Sequence, residues 1–117
     1  MLILPIKRKW FDMIVNGEKL EEYREIKPYW TERIVRWLGY SRKDIEAVIE
    51  LLRRKRTTIE RRVILQNGYG RNVPKIEAAC TVSIGTGRTE WGAEEGVEYY
   101  RFHITQIAAV VVGQINE

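Results

Sequence analysis

The sequence predicts an α+β domain with helices in the first half of the chain and strands in the second. Apolar residues recur at helical spacing in several segments before residue 55, whereas from residue 62 onward short apolar runs are separated by loops that contain glycine. The chain has 117 residues, of which 44% are hydrophobic. This size suits one hydrophobic core and is too small for two, so residues 1–117 are expected to form a single domain.

The first two predicted elements are a strand and a helix. Residues 2–6, Leu-Ile-Leu-Pro-Ile, are apolar, and Pro5 removes a backbone donor, which favours an edge strand over a central one. Apolar residues at helical spacing predict a helix over residues 7–15. Asn16 and Gly17 follow and supply the left-handed conformation in which many helices end.

The next segment predicts a strand and two helices. Residues 19–27 alternate loosely between apolar and charged side chains, which favours a strand, with an extended loop as the alternative. Thr31 is a candidate N-cap for a short helix that ends at Gly39. Ser41, with Asp44 three positions later, is a candidate cap for a third helix, whose apolar residues follow the i, i+3, i+4, i+7 pattern.

The second half of the chain is predicted to be mostly sheet. Two loops, residues 67–74 and 85–96, contain more glycine than ordinary hairpin turns, and each also carries an aromatic residue and an arginine. The predicted strands cover residues 63–65, 76–84, 97–107 and 108–112.

Charge is unevenly distributed along the chain. The net charge of +4 favours polyanionic partners without requiring them. One basic block near the middle predicts either a strongly positive face or only a charged helix end exposed to water. This block consists of Arg53, Arg54, Lys55, Arg56, Arg61 and Arg62.

Several functional classes are disfavoured by composition. One cysteine, Cys80, and one histidine, His103, cannot supply a Cys/His metal site, so neither a metal nor another cofactor is expected. Cys80 lies in a strand-like run and is expected to be a buried apolar side chain rather than a nucleophile. No long apolar segment or secretory signal is evident, which predicts a cytoplasmic protein without membrane contact.

Charged residues concentrate between the first helix and the second strand. After the turn at Gly17, a regular strand would place Glu22 and Arg24 on one face, close to Lys19. The Arg24 fork suits a carboxylate, a phosphate or a base edge. Lys19, if desolvated, would have a lowered pKa and could act as a base. The alternative interpretation is a surface salt-bridge network.

Aromatic residues are interleaved with these basic residues, a pattern used to bind single-stranded nucleic acid. The alternative for each of them is core packing, which is the preferred interpretation for Trp10 and Trp37 on helical apolar faces. The candidates for base stacking are Tyr23, Tyr29, Trp30, Tyr69 and Trp91.

The segment Gly17-Glu18-Lys19-Leu20-Glu21-Glu22-Tyr23-Arg24 resembles the G-x-K-x-x-[ET]-x-R signature of the ASCH domain, a PUA-like fold. The resemblance extends to Asn67-Gly68-Tyr69-Gly70 and to the glycine loop around Glu90-Trp91-Gly92. It implies a small β-barrel with surrounding helices, and the poorly matching region would be a helical insertion around residues 41–56.

The resemblance also implies a cleft that binds RNA or modified nucleosides. Some members of the family are enzymes that deacetylate N4-acetylcytidine with a lysine, a threonine and a distant glutamate, and others are ribonucleases. Lys19 and Arg24 match the motif, but the threonine of the deacetylating branch falls on Glu22, so that triad is not carried over. Glu90 is a candidate for the distant glutamate only because it is near the expected cleft.

The expected function is therefore binding of RNA or a nucleoside, with catalysis by Lys19, Glu22 and Glu90 on RNA or a modified nucleoside as the alternative. A protein partner is a third possibility, and the oligomeric state is left open. The expected ligand-binding residues are Lys19, Glu22, Tyr23, Arg24, Tyr69, Arg71 and Trp91.

Overall fold

The computed structural model describes residues 1–54 and 59–111, and the side chains of that range up to residue 108. Two 3-10 turns, Arg42–Asp44 and Thr89–Trp91, accompany the longer elements. The helices and strands are β1 (Leu2–Ile6), α1 (Arg8–Val15), β2 (Glu21–Glu25), α2 (Pro28–Trp37), α3 (Ile45–Arg53), β3 (Arg61–Asn67), β4 (Lys75–Thr86) and β5 (Glu98–Val111).

The strands form one five-stranded sheet in the order β1-β3-β4-β5-β2. Strands β1 and β3 are parallel, and the other neighbours are antiparallel. The sheet curls into a half-barrel. The predicted α+β class with a barrel-like sheet is therefore confirmed. Strands β1 and β2, the first and last in the order, are its two edges.

The hydrophobic core lies between one face of the sheet and the helices. Strand burial alternates, as expected for a sheet with one covered face, and is clearest in β4, where every second residue from Ile76 to Ile84 is buried. The helices contribute Phe11 and Ile14 from α1 and further residues from the later helices. Those later contributions are Ile34, Val35, Val48 and Leu52.

Most predicted elements are confirmed, with narrower bounds for β2. The edge position of β1 is confirmed, and Gly17 does adopt a left-handed conformation, with φ of +81°. Ser41 and Asp44 form a capping box before α3. The helical segment predicted around residues 41–56 spans Arg42–Arg53, and residues 55 and 56 lie outside the described range.

The prediction that Thr31 caps the second helix is wrong. Helix α2 begins three residues earlier, at Pro28, because proline at the first helical position has a suitable φ and needs no donor. Thr31 is buried inside the helix, where its Oγ1 lies 2.5 Å from Oη of Tyr100.

The predicted break between residues 107 and 108 is also wrong, because β5 is continuous over Glu98–Val111. Its pairing with β4 shifts register twice: Ala78 pairs with Ile107 while Glu77 pairs with Ala109, so one residue bulges out between them. Residue 112, which the prediction included, lies outside the described range.

Within residues 1–54 and 59–111, no helix has the length and apolar character needed to span a membrane.

Candidate functional site at the edges of the half-barrel

The connection between α1 and β2 positions the motif residues. The amide groups of Glu18 and Lys19 donate to the carbonyl oxygen of Met13, at 2.8 and 3.1 Å, in a turn made possible by the positive φ of Gly17. The chain therefore reverses within a few residues. This reversal places Lys19 just before β2, beside the strand that carries Glu22.

Lys19 is enclosed by the protein. Only 2% of the residue is exposed, and its Nζ donates to the carbonyl oxygen of Trp91 at 2.6 Å. The rings of Trp10 and Tyr23 lie 4.9 and 5.0 Å from Nζ, within the range of cation–π attraction. The lysine is therefore held by a carbonyl group, two aromatic faces and the carboxylate of Glu22, rather than by water.

Glu22 lies between two cations. Its register opposite Phe102, with Arg24 opposite Tyr100, confirms that Glu22 and Arg24 share the covered face of the sheet. One carboxylate oxygen, Oε2, accepts a hydrogen bond from Nη1 of Arg24. The other, Oε1, lies 3.2 Å from Nζ of Lys19, which is within ion-pair range, yet it is buried and accepts no hydrogen bond of regular geometry from the described residues.

Arg24 connects the two edges of the sheet. Its Nη2 donates to the carbonyl oxygen of Pro5 at 2.6 Å, and its Nη1 donates to the carbonyl oxygen of Tyr23 at 2.6 Å. Pro5 belongs to β1 and Arg24 to β2, so the guanidinium group spans the open side of the half-barrel. Lys19, Glu22 and Arg24 thus form a continuous ionic chain that begins in the interior and ends at this opening.

An open groove of about 730 Å³ adjoins Arg24. It lies between β1 and the start of α2, and Tyr69 from the loop after β3 borders it. The guanidinium of Arg24 lies 5.0 Å from the ring of Trp30, and that of Arg33 lies 3.5 Å from the ring of Tyr29. The groove therefore combines cationic groups with aromatic faces, whereas Lys19 and Glu22 do not line it.

The segment of residues 87–96, here called the Trp91 segment, closes the Lys19 end. The amide of Arg88 donates to Oη of Tyr23 at 3.0 Å. A Cβ atom at Gly87 would lie 2.7 Å from the Tyr23 ring, and one at Gly92 would lie 2.9 Å from the Trp10 ring. Since no side chain fits at either glycine without displacing a ring, the segment packs directly on the residues that surround Lys19.

Burial determines the protonation behaviour of this end. It lowers the pKa of Lys19 below the usual range of a lysine, and the attraction of Glu22 opposes that change without cancelling it. Burial likewise raises the pKa of the Tyr23 phenol. The expected lowering of the pKa of Lys19 on desolvation is confirmed.

The remaining predicted site residues are dispersed. Tyr69 borders the groove and is 84% exposed, whereas Arg71 is exposed but does not line the groove. Glu90 is an exposed carboxylate that pairs with Arg88 at 3.3 Å. Trp91 contacts Lys19 through its main-chain carbonyl, while its ring lies 4.9 Å from the guanidinium of Arg88.

Two groove residues were missed by sequence reasoning, Arg33 and the carbonyl of Pro5. A signal for Arg33 existed, because Tyr29 and Arg33 are four residues apart and therefore neighbours on a helix surface. No feature of the sequence around Pro5 indicates this contact, since its carbonyl group reaches Arg24 only because the sheet curls.

The other titratable residues singled out in the sequence lie away from the groove. Burial raises the pKa of the Cys80 thiol to about 12, as fits a structural side chain. His103 is exposed on β5, with Nδ1 3.8 Å from a carboxylate oxygen of Glu21. The described part of the chain contains no group of three or more His, Cys, Asp or Glu residues able to hold a metal ion.

Replacing the central carboxylate is expected to destabilise the fold strongly. Glu22→Gln leaves the buried Lys19 and the mostly buried Arg24 as neighbouring cations with no anion between them, a change that typically costs about 3–5 kcal/mol. Urea unfolding of this variant should be compared with Glu25→Gln, an exposed carboxylate on the same strand that should cost less than about 1 kcal/mol. Equal effects of the two substitutions would refute the central role of Glu22.

The stability contributed by Lys19 should depend on pH. Its pKa is lower in the folded than in the unfolded protein, so the unfolded state binds more protons between the two values and stability rises with pH across that window. The free energy of unfolding of the wild type should therefore increase relative to Lys19→Met as pH rises toward the ordinary lysine value. A difference that stays constant or falls would show that the amine is not desolvated.

The motif segment thus builds an ionic chain with one closed end, at Lys19, and one open end, at Arg24. The closed end holds an amine and a carboxylate suited to acid/base chemistry if it becomes accessible, and the open end presents a guanidinium group among aromatic rings. No protein-family model matches this chain, and neither curated proteins nor solved structures give a significant match to it.

Proposed function

We propose that the protein is an ASCH-type recognition module that binds RNA or a nucleoside in the groove beside Arg24. The observation that carries the proposal is the anchored guanidinium group of Arg24 at the mouth of a groove bordered by exposed aromatic rings. The motif segment supports the family assignment, because it joins the first helix to an edge strand of a curled five-stranded sheet.

Arg24 is suited to recognition because it is fixed before any ligand arrives. Three of the five N–H donors of its guanidinium group are used by Glu22, Tyr23 and Pro5 within the described residues. The side chain retains 11% exposure, so donors that are not used internally can face the groove. A planar, oriented donor group of this kind matches a phosphate or the acceptor edge of a base.

The aromatic rings around the groove suit a base. Tyr69 is 84% exposed and Tyr29 is 55% exposed, and exposed rings beside arginines are what proteins use to stack unpaired bases. The guanidinium of Arg33 already stacks on one face of Tyr29, which leaves Tyr69 as the most accessible platform.

Removing the Tyr69 ring is expected to weaken nucleoside binding. Stacking of a base on an aromatic side chain contributes about 1–3 kcal/mol, so Tyr69→Ala should raise Kd by roughly fivefold to more than a hundredfold. Calorimetric titration with the four ribonucleoside monophosphates would measure it. Tyr40→Ala is the matched control, because Tyr40 is 45% exposed and does not line the groove. Equal affinities for the two variants would contradict the proposed binding site.

A second candidate function is catalysis at the Lys19 end, on RNA or an acylated nucleoside. The observation that favours it is the pairing of an amine of lowered pKa with a buried carboxylate oxygen that has no regular hydrogen bond. A desolvated amine beside a carboxylate is the kind of pair that can transfer protons to or from a substrate. Access would require the Trp91 segment to move away, because the Lys19 amine now donates a hydrogen bond to the carbonyl oxygen of Trp91.

The catalytic alternative predicts product formation that depends on the amine. Wild-type protein incubated with N4-acetylcytidine or short RNA should yield deacetylated or cleaved product by mass spectrometry, and Lys19→Met should lose at least about a hundredfold in rate if the amine transfers a proton. Tyr40→Ala should retain full activity. Binding of these compounds without any product in the wild type would reject catalysis and leave recognition as the function.

A further inference from the structure

The groove beside Arg24 continues along the edge of the sheet. Two more cavities of about 410 Å³ each follow it, and neighbouring cavities share bordering residues. The second cavity, which Arg36 borders, shares Arg33 with the groove. The third cavity, which Arg61 borders, shares Trp37 with the second. The three cavities therefore form one surface channel, here called the edge channel, which runs from Tyr69 past α2 to the start of β3.

Helix α2 forms one wall of the edge channel with both aromatic and arginine side chains. Positions 30, 33 and 37 lie at helical spacing, and position 36 is three residues beyond 33, so their side chains project toward the same side. Arg33 and Arg36 are exposed. Trp37 is fixed at the far end by its Nε1, which donates to the carbonyl oxygen of Arg62 at 2.9 Å.

Arginines dominate the lining of the edge channel, although Arg24 pairs with Glu22 and Arg62 pairs with Glu77 at 3.2 Å. In the described part of the chain, five arginines border its three cavities and Glu60 is the one carboxylate that does so. The arginines come from three elements, β2, α2 and β3, so they are not simply the solvent-exposed face of one helix. They are Arg24, Arg33, Arg36, Arg61 and Arg62.

We propose that the edge channel binds a single-stranded oligonucleotide, so that the ligand is a nucleic-acid strand and not a free nucleoside. This inference rests on the proposed function of the Arg24 groove and extends it. One base occupies that groove against Tyr69, and the following phosphates lie along Arg33 and Arg36 toward Arg62. The channel is longer than a single nucleotide and carries cations along its length. This arrangement matches a ligand chain with a repeated negative charge.

The aromatic rings of the channel favour a single-stranded nucleic acid over other polyanions. A base can stack on a side chain only when its face is free, so rings placed between the arginines favour an unpaired strand over a duplex. An acidic peptide would satisfy the arginines but would leave the exposed ring of Tyr69 without a planar partner. Charge and ring placement together therefore select single-stranded nucleic acid.

The test measures binding as a function of strand length and salt. Fluorescence anisotropy with a mononucleotide, a dinucleotide, a tetranucleotide and an octanucleotide of RNA should show affinity rising by at least about tenfold up to the tetranucleotide, in line with the smallest site sizes of single-strand binders. Arg36→Gln should weaken tetranucleotide binding several-fold and reduce the slope of log K against log salt by about 0.7, the value of one phosphate contact in a single strand.

Lys43→Gln is the control for charge, because Lys43 is exposed, carries the same charge and does not border the edge channel. It should leave both the affinity and the salt slope unchanged. Equal effects of the Arg36 and Lys43 substitutions would overturn the proposal, since they would indicate a general effect of net charge.

The remaining outcomes separate this inference from the proposed function. Mononucleotide binding that depends on Tyr69 but does not strengthen with length would overturn the edge channel and preserve the Arg24 groove. No binding of any nucleotide would overturn both. Competition by polyglutamate as effective as by an oligonucleotide of equal charge, or tighter binding of duplex RNA, would also overturn the assignment of a single strand.

Discussion

The carboxylate of Glu22 is the interaction on which the rest of the site depends. It balances one buried and one mostly buried cation, and each cation makes a contact elsewhere in the protein: Lys19 with the Trp91 segment and Arg24 with β1. Isolated buried charges are costly, whereas a fully paired set fixes the geometry of its members. Glu22 thus joins a loop, one edge strand and the opposite edge strand through a single side chain.

The two ends of this ionic chain differ in solvent access, and this difference separates the two candidate functions. Arg24 faces a groove and can contact a ligand without rearrangement. Lys19 is covered by the Trp91 segment, so its chemistry is available only after a conformational change. A recognition role therefore requires the structure as it stands, and a catalytic role requires a second state of the same protein.

The sequence predicted the local relationships well and the distant ones poorly. The turn at Gly17 and the period of a strand were enough to group Lys19, Glu22 and Arg24, because these depend on neighbouring residues. The Pro5 carbonyl could not be foreseen, since it approaches Arg24 only through the curl of the whole sheet. Glu90 was placed near the cleft by loop position alone, and the fold directs its side chain to Arg88 at the surface.

The parallel pairing of β1 with β3 has a consequence for the order of folding. Leu2 pairs with Val63, and Glu22 pairs with Phe102, so each edge strand finds its partner only after a long stretch of chain has followed it. Contacts of such long sequence separation carry a large loop-closure cost and form slowly. The hairpin of β4 and β5, with local antiparallel pairing, is able to form before either edge joins it. Arg24 on β2 borders the groove, and β2 pairs only with β5, so the groove proposed to bind the ligand cannot be complete until β5 has been made.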